Sequence, residues 1–310
     1  MPGANERNTR FVRLLSLGKV QDRLCLNNEF ASILARFLEE APLPSPGDLA
    51  GGGTSTEGYR RFFLCWCRSC GIESETLGED SVYLDCFREI PPSLVVDNPY
   101  IRTVKFPHID KGGWRTTSLG TSPFEAFICD DLAVRDDFIE IPQVGFCSEE
   151  LSYPAILQDD REWMAVKPSE ICSMAPHIGK VQGRVAVLGL GLGYFPFMAT
   201  LRKEVSEVVI VEKDPTAISI FTEYLLPQFP GRDKIRVVQG DAFDWLEGYR
   251  REGSPHFDYV FVDLWHDAQD GVLPYARARS LEAEGTTYLY WVEEFLQSAI
   301  RWKLAWRVQT

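Results

Sequence analysis

Three glycines, Gly189, Gly191 and Gly193, follow directly after the apolar run Val185 to Leu188. Glycine adopts backbone conformations that other residues avoid, and it leaves no side chain between the backbone and a ligand. A helix that begins at Tyr194 would point its free N–H groups towards the same place. The sequence therefore predicts a strand, a turn and a helix that together hold a nucleotide-like ligand.

The spacing of these glycines argues against a dinucleotide. The fingerprint G-x-G-x-x-G would place its last glycine at position 194, where this chain has Tyr194, and the pattern here is G-x-G-x-G. A nicotinamide-dependent dehydrogenase is therefore disfavoured. A tight turn without any ligand remains an alternative for the glycines taken alone.

Acidic residues end the apolar runs that follow. Glu212 lies 19 residues beyond Gly193, where a carboxylate can accept hydrogen bonds from both ribose hydroxyls. Asp241, followed by Ala242, can accept from an adenine amino group or can cap a helix that begins at Ala242. Asp263 ends the next run. Because the carboxyl ends of parallel strands meet at one edge of a sheet, we expect these residues to share one site.

The elements that carry these residues alternate between apolar runs and amphipathic segments. This alternation is typical of a parallel sheet with crossover helices, so we predict an α/β fold with a Rossmann-like, doubly wound and mostly parallel sheet. After Asp263 too few residues remain for the antiparallel hairpin that often ends such sheets. The predicted strands are 184–188, 207–212, 234–239, 257–263 and 286–290, and the predicted helices are 194–203, 215–226, 242–248, 274–284 and 291–304.

Upstream of this sheet the pattern changes twice. Apolar residues from Phe30 to Leu38 follow helical spacing, and a second helical stretch runs from Tyr59 to Cys70. From about Asn98, short β-branched and aromatic runs alternate with turn signals. We therefore predict three consecutive domains: a helical N-terminal region (1–92), a small β-rich unit (93–162) and the nucleotide-binding domain (163–310).

Composition excludes several classes of protein. The 310 residues are 45% hydrophobic and have a net charge of −13, which disfavours a nucleic-acid partner. No apolar run approaches the ~20 residues of a membrane span, and the N-terminus lacks an apolar signal core. We expect a cytoplasmic protein without a membrane partner. The helical N-terminal region either caps the pocket or forms a homodimer surface.

The eight cysteines do not suggest a metal site. Cys65, Cys67 and Cys70 have C-x-C-x-x-C spacing, which differs from the paired C-x-x-C of zinc sites, and they lie in an apolar helical stretch. In such surroundings thiols behave as small hydrophobic groups. We expect no bound metal and no disulfide framework.

Residues 184–265 resemble the cofactor-binding core of class I S-adenosylmethionine-dependent methyltransferases, in the branch related to spermidine synthases. The resemblance implies that Gly189, Gly191 and Gly193 hold the methionine part of S-adenosyl-L-methionine or of its decarboxylated form. It also implies that Glu212 holds the ribose and that Asp241 with Ala242 holds the adenine. The stretches 160–162 and 170–177 are similar to the Asp-Glu and Glu-Met-x-x-His segments that precede the glycine turn in that branch.

The sequence also differs from spermidine synthases at two places in this region. Those enzymes carry an aspartate within the glycine turn, where this chain has Leu192. After the catalytic aspartate they have a small polar Asp-Pro tract, whereas Leu264-Trp265-His266-Asp267 follows Asp263 here. The resemblance therefore favours methyl transfer, with aminopropyl transfer as the alternative.

The acceptor side of a methyl transfer needs alignment and, for some acceptors, removal of a proton. Asp263 is the first candidate for this role, and His266 is the second because a neutral imidazole can take a proton near pH 7. His266 is alternatively a surface residue, and Tyr275 lines the acceptor site or belongs to the core. Further acids would favour a cationic amine if they converge, and otherwise are solvated charges: Asp159, Asp160, Glu162, Asp267 and Asp270.

The function predicted from the sequence is thus methyl transfer from S-adenosyl-L-methionine to a small molecule, with an amine among the expected acceptors. Aminopropyl transfer from decarboxylated S-adenosylmethionine is the enzyme alternative. A non-catalytic nucleotide-binding or scaffold protein is the alternative of another class, because the segment after Asp263 is irregular.

Overall fold

The structure is a computed structural model, and it describes residues 11, 21–50, 55–111, 113–251, 256–266 and 268–309. The helices, in chain order, are α1 (Gln21–Glu40), α2 (Pro46–Leu49), α3 (Ser55–Ser69), α4 (Ser93–Val96), α5 (Pro99–Thr103), α6 (Pro168–Lys180), α7 (Tyr194–Thr200), α8 (Pro215–Ile220), α9 (Ala242–Tyr249), α10 (Ala268–Ser280) and α11 (Glu293–Gln309). The strands are β1 (Phe87–Glu89), β2 (Asp110–Lys111), β3 (Trp114–Thr121), β4 (Phe127–Val134), β5 (Glu140–Phe146), β6 (Leu151–Gln158), β7 (Arg161–Ala165), β8 (Gly183–Leu188), β9 (Val205–Glu212), β10 (Ile235–Gln239), β11 (Tyr259–Val262) and β12 (Thr287–Tyr290).

The described chain forms two compact units, each assembled from separate stretches. Unit 1 comprises the described parts of Met1–Pro91, Ser122–Glu150 and Val292–Thr310, and unit 2 comprises those of Pro92–Thr121 and Leu151–Trp291. These units do not coincide with the three consecutive domains predicted from the sequence, because residues 93–162 contribute to both. The reason is strand pairing: β5 pairs with both β4 and β1, whereas β3 pairs with β6.

Unit 1 contains a three-stranded sheet in the order β1-β5-β4, with helices packed on it through aromatic side chains. The ring of Phe37 on α1 lies 5.0 Å from that of Phe63 on α3. Tyr59 of α3 stacks on Phe146 of β5 at 4.2 Å between ring centroids. Both predicted N-terminal helices are present, as α1 and α3, and the apolar face of α1 is buried as its spacing indicates.

Unit 2 contains a five-stranded sheet in the order β10-β9-β8-β11-β12, and all of its strand pairs are parallel. The α/β fold with a doubly wound parallel sheet predicted from the sequence is confirmed. The sheet ends with the parallel strand β12, so its described part has no terminal antiparallel hairpin. A second, antiparallel sheet has the order β2-β3-β6-β7.

The strand order of the parallel sheet places a crevice at the edge where the glycines lie. From β8 the chain proceeds outward through β9 to β10, and it then returns to β11 on the other side of β8. Open α/β sheets bind ligands at such a switch point, outside the carboxyl ends of the strands. Leu188 and Val262 are paired in register, and the Asp263 N–H donates to the Leu188 carbonyl at 2.9 Å. Gly189 and Asp263 therefore leave the sheet side by side.

Several element boundaries differ from the sequence prediction. Pro99–Thr103 is helical rather than part of a β-rich stretch, because the Asn98 side chain accepts the Tyr100 N–H and Pro99 suits the first helical turn. The helix predicted over 215–226 is regular only to Ile220 and continues as a π-turn at 221–225. The helix predicted over 274–284 is displaced and spans Ala268–Ser280.

No helix within the described residues has both the length and the apolar character that a membrane span requires.

Candidate functional site

A cavity of about 250 Å³ lies at the carboxyl edge of the parallel sheet, wholly within unit 2. It brings together residues that the sequence analysis selected from three strand ends: Glu212, Asp241 and Asp263. The other lining residues are Glu162, Trp163, Met164, Ala165, Lys167, Glu170, Gly189, Leu190, Gly191, Val211, Lys213, Gly240, Ala242, Phe243, Leu264, Trp265, His266 and Trp291.

The three predicted glycines all have left-handed backbone conformations, with φ of 97°, 52° and 72° for Gly189, Gly191 and Gly193. A Cβ atom on Gly189 would lie 2.0 Å from the Asp263 carbonyl oxygen, and one on Gly191 would lie 1.8 Å from the Met164 sulfur. A Cβ on Gly193 would meet the Phe221 ring at 2.4 Å, and Gly193 does not line the cavity. Gly193 therefore serves the packing of the turn, whereas the other two glycines border the cavity.

Backbone N–H groups of the glycine turn have defined partners. The Leu190 N–H donates to Glu212 Oε2 at 3.1 Å, and the Leu192 N–H donates to the Met164 thioether at 2.9 Å. The other Glu212 oxygen accepts the Asp214 N–H at 2.8 Å. Because a carboxylate oxygen has two lone pairs, Glu212 can support the turn and still accept from a ligand.

Asp241 is the N-cap of α9. Its Oδ1 accepts the N–H groups of Phe243 at 2.8 Å and of Asp244 at 3.2 Å, which confirms the capping alternative. Within the described residues, Oδ2 has no hydrogen-bond partner. The side chain is exposed and lines the cavity, so capping leaves one oxygen available to a ligand.

Two carboxyl groups in the cavity have strongly altered titration. Burial raises the pKa of Asp263 well above its usual range, and the nearby Glu170 raises it further. Burial also raises the pKa of Glu170 to about 7; Lys167 opposes this shift and Glu162 adds to it. A carboxyl group that titrates near neutral pH is suited to accept and release protons there.

His266 lies at the exposed side of the cavity. Its Nδ1 is 3.2 Å from Asp270 Oδ2. Its ring packs edge-to-face with that of Trp163, with 4.7 Å between the ring centroids. Trp291, another cavity residue, is oriented by a hydrogen bond of 2.9 Å from its Nε1 to Ser173. Aromatic rings therefore form much of the wall near the predicted acceptor side.

Tyr275 does not line the cavity. It is buried in the core, where its ring packs edge-on against Tyr290 at 4.9 Å and against Trp265 at 6.4 Å. The structure thus supports the core alternative for this residue, because its position on α10 directs the ring towards β12 rather than towards the switch point.

The additional acids do not converge. Only Glu162 lines the cavity, and it is paired with Lys167 at 2.7 Å. Asp160 pairs with Arg115 at 2.9 Å, and Asp270 with His266. Asp267 lies outside the described residues.

The cysteine cluster belongs to unit 1. Cys67 is buried in the aromatic core, where burial raises the pKa of its thiol to about 11. Cys65 and Cys70 are exposed. Among the described residues, no group of histidine, cysteine, aspartate or glutamate side chains has an arrangement that could hold a metal ion.

Sequence reasoning missed the residues that reach the cavity from β7 and α6: Trp163, Met164 and Glu170. Glu170 belongs to the segment that resembles the Glu-Met-x-x-His stretch of spermidine synthases, so a signal for it existed. Nothing in the spacing identified Met164, because its contact with the glycine turn comes from the antiparallel sheet.

The strand order, the glycine turn after the first parallel strand and the acids after the next strands decide the fold. The chain has a Rossmann-like, doubly wound α/β fold. No family model matches the chain.

Comparison with known proteins found similarities of limited extent. Over 87 residues the chain is 30% identical to the eEF1A lysine and N-terminal methyltransferase of Mus musculus. The matched segment is 28% of this chain and 12% of that protein. The spermidine synthase of Thermotoga maritima has a TM-score of 0.35 and 14% identity over 51% of this chain and 58% of its own. M. capricolum TrmK, solved with S-adenosyl-homocysteine, has a TM-score of 0.30 and 13% identity over 37% of this chain and 49% of its own. The chain thus spans only a small part of the curated relative.

Proposed function

We propose that the chain is an S-adenosyl-L-methionine-dependent methyltransferase and that the cavity in unit 2 is its active site. The observation that carries this proposal is convergence: the glycine turn, Glu212, Asp241 and Asp263 line one cavity at the switch point of the parallel sheet. A turn shaped only by packing would not bring acids from three further strand ends to the same place.

The residues present fit this cofactor. Gly189 and Gly191 would border the methionine part, and Glu212 would accept from the ribose hydroxyls through its remaining lone pairs. The Oδ2 of Asp241 would accept from the adenine amino group, and Ala242 and Phe243 line the cavity beside it. S-adenosyl-L-methionine supplies an electrophilic methyl group that needs no activation by the protein.

The acceptor side is formed by Asp263, Trp163, Trp265 and His266. Asp263 is the group that orients the acceptor and, in its ionised form, takes its proton; because its pKa is raised, that ionised form is a stronger base than an exposed carboxylate. His266 is more exposed and pairs with Asp270, so it has the secondary role.

The further acids do not converge, but Glu170, Asp263 and the tryptophans of the cavity still suit a small amine best as the acceptor. Carboxyl groups bind an ammonium group, and tryptophan faces attract cations. The name of the mouse relative specifies lysine and N-terminal amino groups, which makes an amino group of a protein the second acceptor class. The cytoplasmic location and the homodimer stay predictions from the sequence.

Aminopropyl transfer and a non-catalytic scaffold are separated from this proposal by ligand binding. The purified protein is unfolded thermally with S-adenosyl-L-methionine, its decarboxylated form, S-adenosylhomocysteine or NAD in excess. A ligand at ~100 times its dissociation constant stabilises by about 2.7 kcal/mol. Stabilisation by the two carboxylated sulfur compounds supports methyl transfer. Preference for the decarboxylated form would favour aminopropyl transfer, and no shift with any compound would contradict the proposal.

Asp214 provides a matched control for the site assignment. Both Asp214 and Asp241 cap a helix through Oδ1 with two backbone N–H groups, but only Asp241 lines the cavity. We expect Asp241→Ala to weaken cofactor binding at least fivefold and Asp214→Ala to leave it unchanged. Equal effects of the two variants on binding would contradict the assignment of the adenine site.

A further inference from the structure

Glu170 and Asp263 form a carboxyl pair on the wall of the cavity. Glu170 lies in the first turn of α6, and Asp263 directly follows β11. Both residues line the same cavity, and Glu170 is close enough to raise the pKa of Asp263. Within the described chain, neither carboxyl group has a side-chain hydrogen bond that would satisfy its charge. Carboxyl groups without a protein partner can be paired by a positively charged ligand that enters the cavity.

This pair adjoins the glycine turn. A Cβ on Gly189 would lie 2.0 Å from the Asp263 carbonyl oxygen, so the turn and Asp263 are in direct contact. Under the proposed function, on which this inference rests, the turn borders the methionine part of the cofactor. Because Glu170 and Asp263 line the same cavity as Gly189 and Gly191, the sulfonium centre of that part would lie in the cavity that contains both carboxyl groups.

The surrounding charges leave the pair without a dedicated counter-ion. Lys167 and Glu162 act on Glu170, but the lysine ammonium group is already bound to Glu162 at 2.7 Å. Tyr194 of α7 also faces Glu170. The remaining ionisable groups that line the cavity are Glu212, Lys213, Asp241 and His266.

A buried nitrogen donor lies in the same wall. Trp265 is 5% exposed and lines the cavity, and within the described residues its indole Nε1 has no hydrogen-bond partner. The Trp265 nitrogen and the two carboxyl groups thus line one cavity. A buried donor without a partner is costly in a packed protein interior unless a ligand completes it.

We propose that the Glu170–Asp263 pair makes the cavity sensitive to ligand charge: a cation displaces a proton from the pair, so the sulfonium cofactor is favoured over its neutral thioether product. An adjacent positive charge stabilises the ionised form of a carboxyl group. S-adenosylhomocysteine lacks that charge, so it leaves the pair protonated. The pair therefore assists exchange of product for fresh cofactor.

The sign of the pH dependence follows from Glu170. Its pKa of about 7 means that the cation-free protein binds a proton at pH 6 that it has largely lost at pH 8. A cation that requires the ionised form therefore binds up to about tenfold more tightly at pH 8 than at pH 6. Affinity for the neutral thioether is expected to change less than twofold over that range.

Isothermal titration calorimetry tests the proposal without knowledge of the acceptor. Titrations at pH 7 in phosphate and in Tris give the number of protons released on binding. We expect S-adenosyl-L-methionine to release between half a proton and one proton, and S-adenosylhomocysteine to release close to none. Sinefungin, which carries an amine in place of the sulfonium group, should behave like S-adenosyl-L-methionine.

Variants assign the released proton to the pair. Glu170→Gln should abolish most of the release, whereas Glu170→Asp should keep it and shows that an acid at this position is sufficient. Glu204→Gln, at a solvent-exposed carboxylate beside Arg202, is the control and should release as many protons as the unchanged protein.

The outcomes separate this inference from the proposed function. If neither S-adenosyl-L-methionine nor its product binds, the proposed function fails. If both bind with equal proton release, or with none, the charge-sensing role of the pair is wrong while the proposed function stands.

Discussion

Glu140 in unit 1 and Glu170 in unit 2 are both acids withdrawn from solvent, but their surroundings differ. Glu140 is 6% exposed, and Arg301, 1% exposed, lies against it with both Nε and Nη2 at 2.7 Å from Oε1. The Ser298 hydroxyl donates to Oε2 at 2.5 Å. Glu170 lines a cavity, and no hydrogen bond satisfies its carboxyl group within the described residues.

The difference shows how to separate structural acids from functional acids. A buried carboxylate with a bound arginine is held in place by the ion pair and its hydrogen bonds. A carboxyl group without such a partner remains protonated near neutral pH and is available to a ligand. On this physical ground Glu140 anchors α11 to β5, whereas Glu170 belongs to the site.

The largest expected effect comes from breaking the pair in unit 1. Arg301→Met leaves Glu140 buried without its counter-charge, so we expect the free energy of unfolding to fall by about 3 to 5 kcal/mol. Urea unfolding measures it. The double variant Arg301→Met with Glu140→Leu should recover most of the loss, and a loss of less than 1 kcal/mol in the single variant would contradict the structural role.

Substitutions in the glycine turn come next. Gly189→Ala would place a methyl group against the Asp263 backbone carbonyl, which cannot move without displacing β11, so we expect a loss of about 3 kcal/mol. Gly191→Ala meets only the flexible end of Met164 and should cost about 1 to 2 kcal/mol. Thermal unfolding of both variants checks the order.

A double-mutant cycle sharpens that comparison. Adding Met164→Ala to Gly191→Ala removes the steric contact, so the two changes together should cost at least about 0.5 kcal/mol less than their sum. Met164→Ala added to Gly189→Ala should be additive. Coupling at position 189 but not at 191 would show that the contacts of the turn are misassigned.

Glu170→Gln is expected to stabilise the protein, in contrast to Arg301→Met. Burial raises the pKa of Glu170 in the folded protein to about 7. The wild-type protein therefore has its full free energy of unfolding below pH ~4.5, and it loses part of that free energy as the pH rises through 7. Glutamine stays neutral, so the variant should be more stable by about 2 kcal/mol at pH 8 and equal to wild type at pH 4. Denaturant unfolding at pH 4 and pH 8 measures this difference in unfolding free energy. A Glu170→Gln variant that is less stable than wild type at pH 8 would contradict the raised pKa of Glu170.

The smallest effect is expected from the two matched helix caps. Asp214→Ala and Asp241→Ala each remove a side-chain acceptor for two backbone N–H groups, so each should lower the unfolding free energy by about 1 kcal/mol. Thermal unfolding without ligand measures both losses. A difference above about 1 kcal/mol between the two losses would show that Asp241 stabilises the fold through contacts beyond the helix cap.

The parallel sheet and the three acids at its strand ends were predictable from local patterns. Apolar runs alternate with amphipathic segments along the chain, and these three runs end in an acidic residue. Glu212, Asp241 and Asp263 needed only the rule that parallel strands end at one edge. Gly193 was selected by the same pattern, yet its role is to admit the Phe221 ring. A glycine pattern records where side chains are excluded, but it does not identify which neighbour excludes them.

Other features depend on contacts that no local pattern encodes. Glu170 and Met164 reach the cavity from elements that precede the glycine turn, and their positions follow from how α6 and β7 pack within unit 2. The division of residues 93–162 between two units depends on strand pairing over long sequence separations. Periodicity identifies a strand, but it does not identify the strand's partner.

A crystal structure of the protein with S-adenosylhomocysteine would show directly whether the cavity in unit 2 is the cofactor site. We predict the adenine beside Asp241 and Ala242, the ribose hydroxyls on Glu212, and the sulfur near Glu170 and Asp263. Ligand bound elsewhere in unit 2, or an empty cavity at a saturating concentration of S-adenosylhomocysteine, would contradict this prediction.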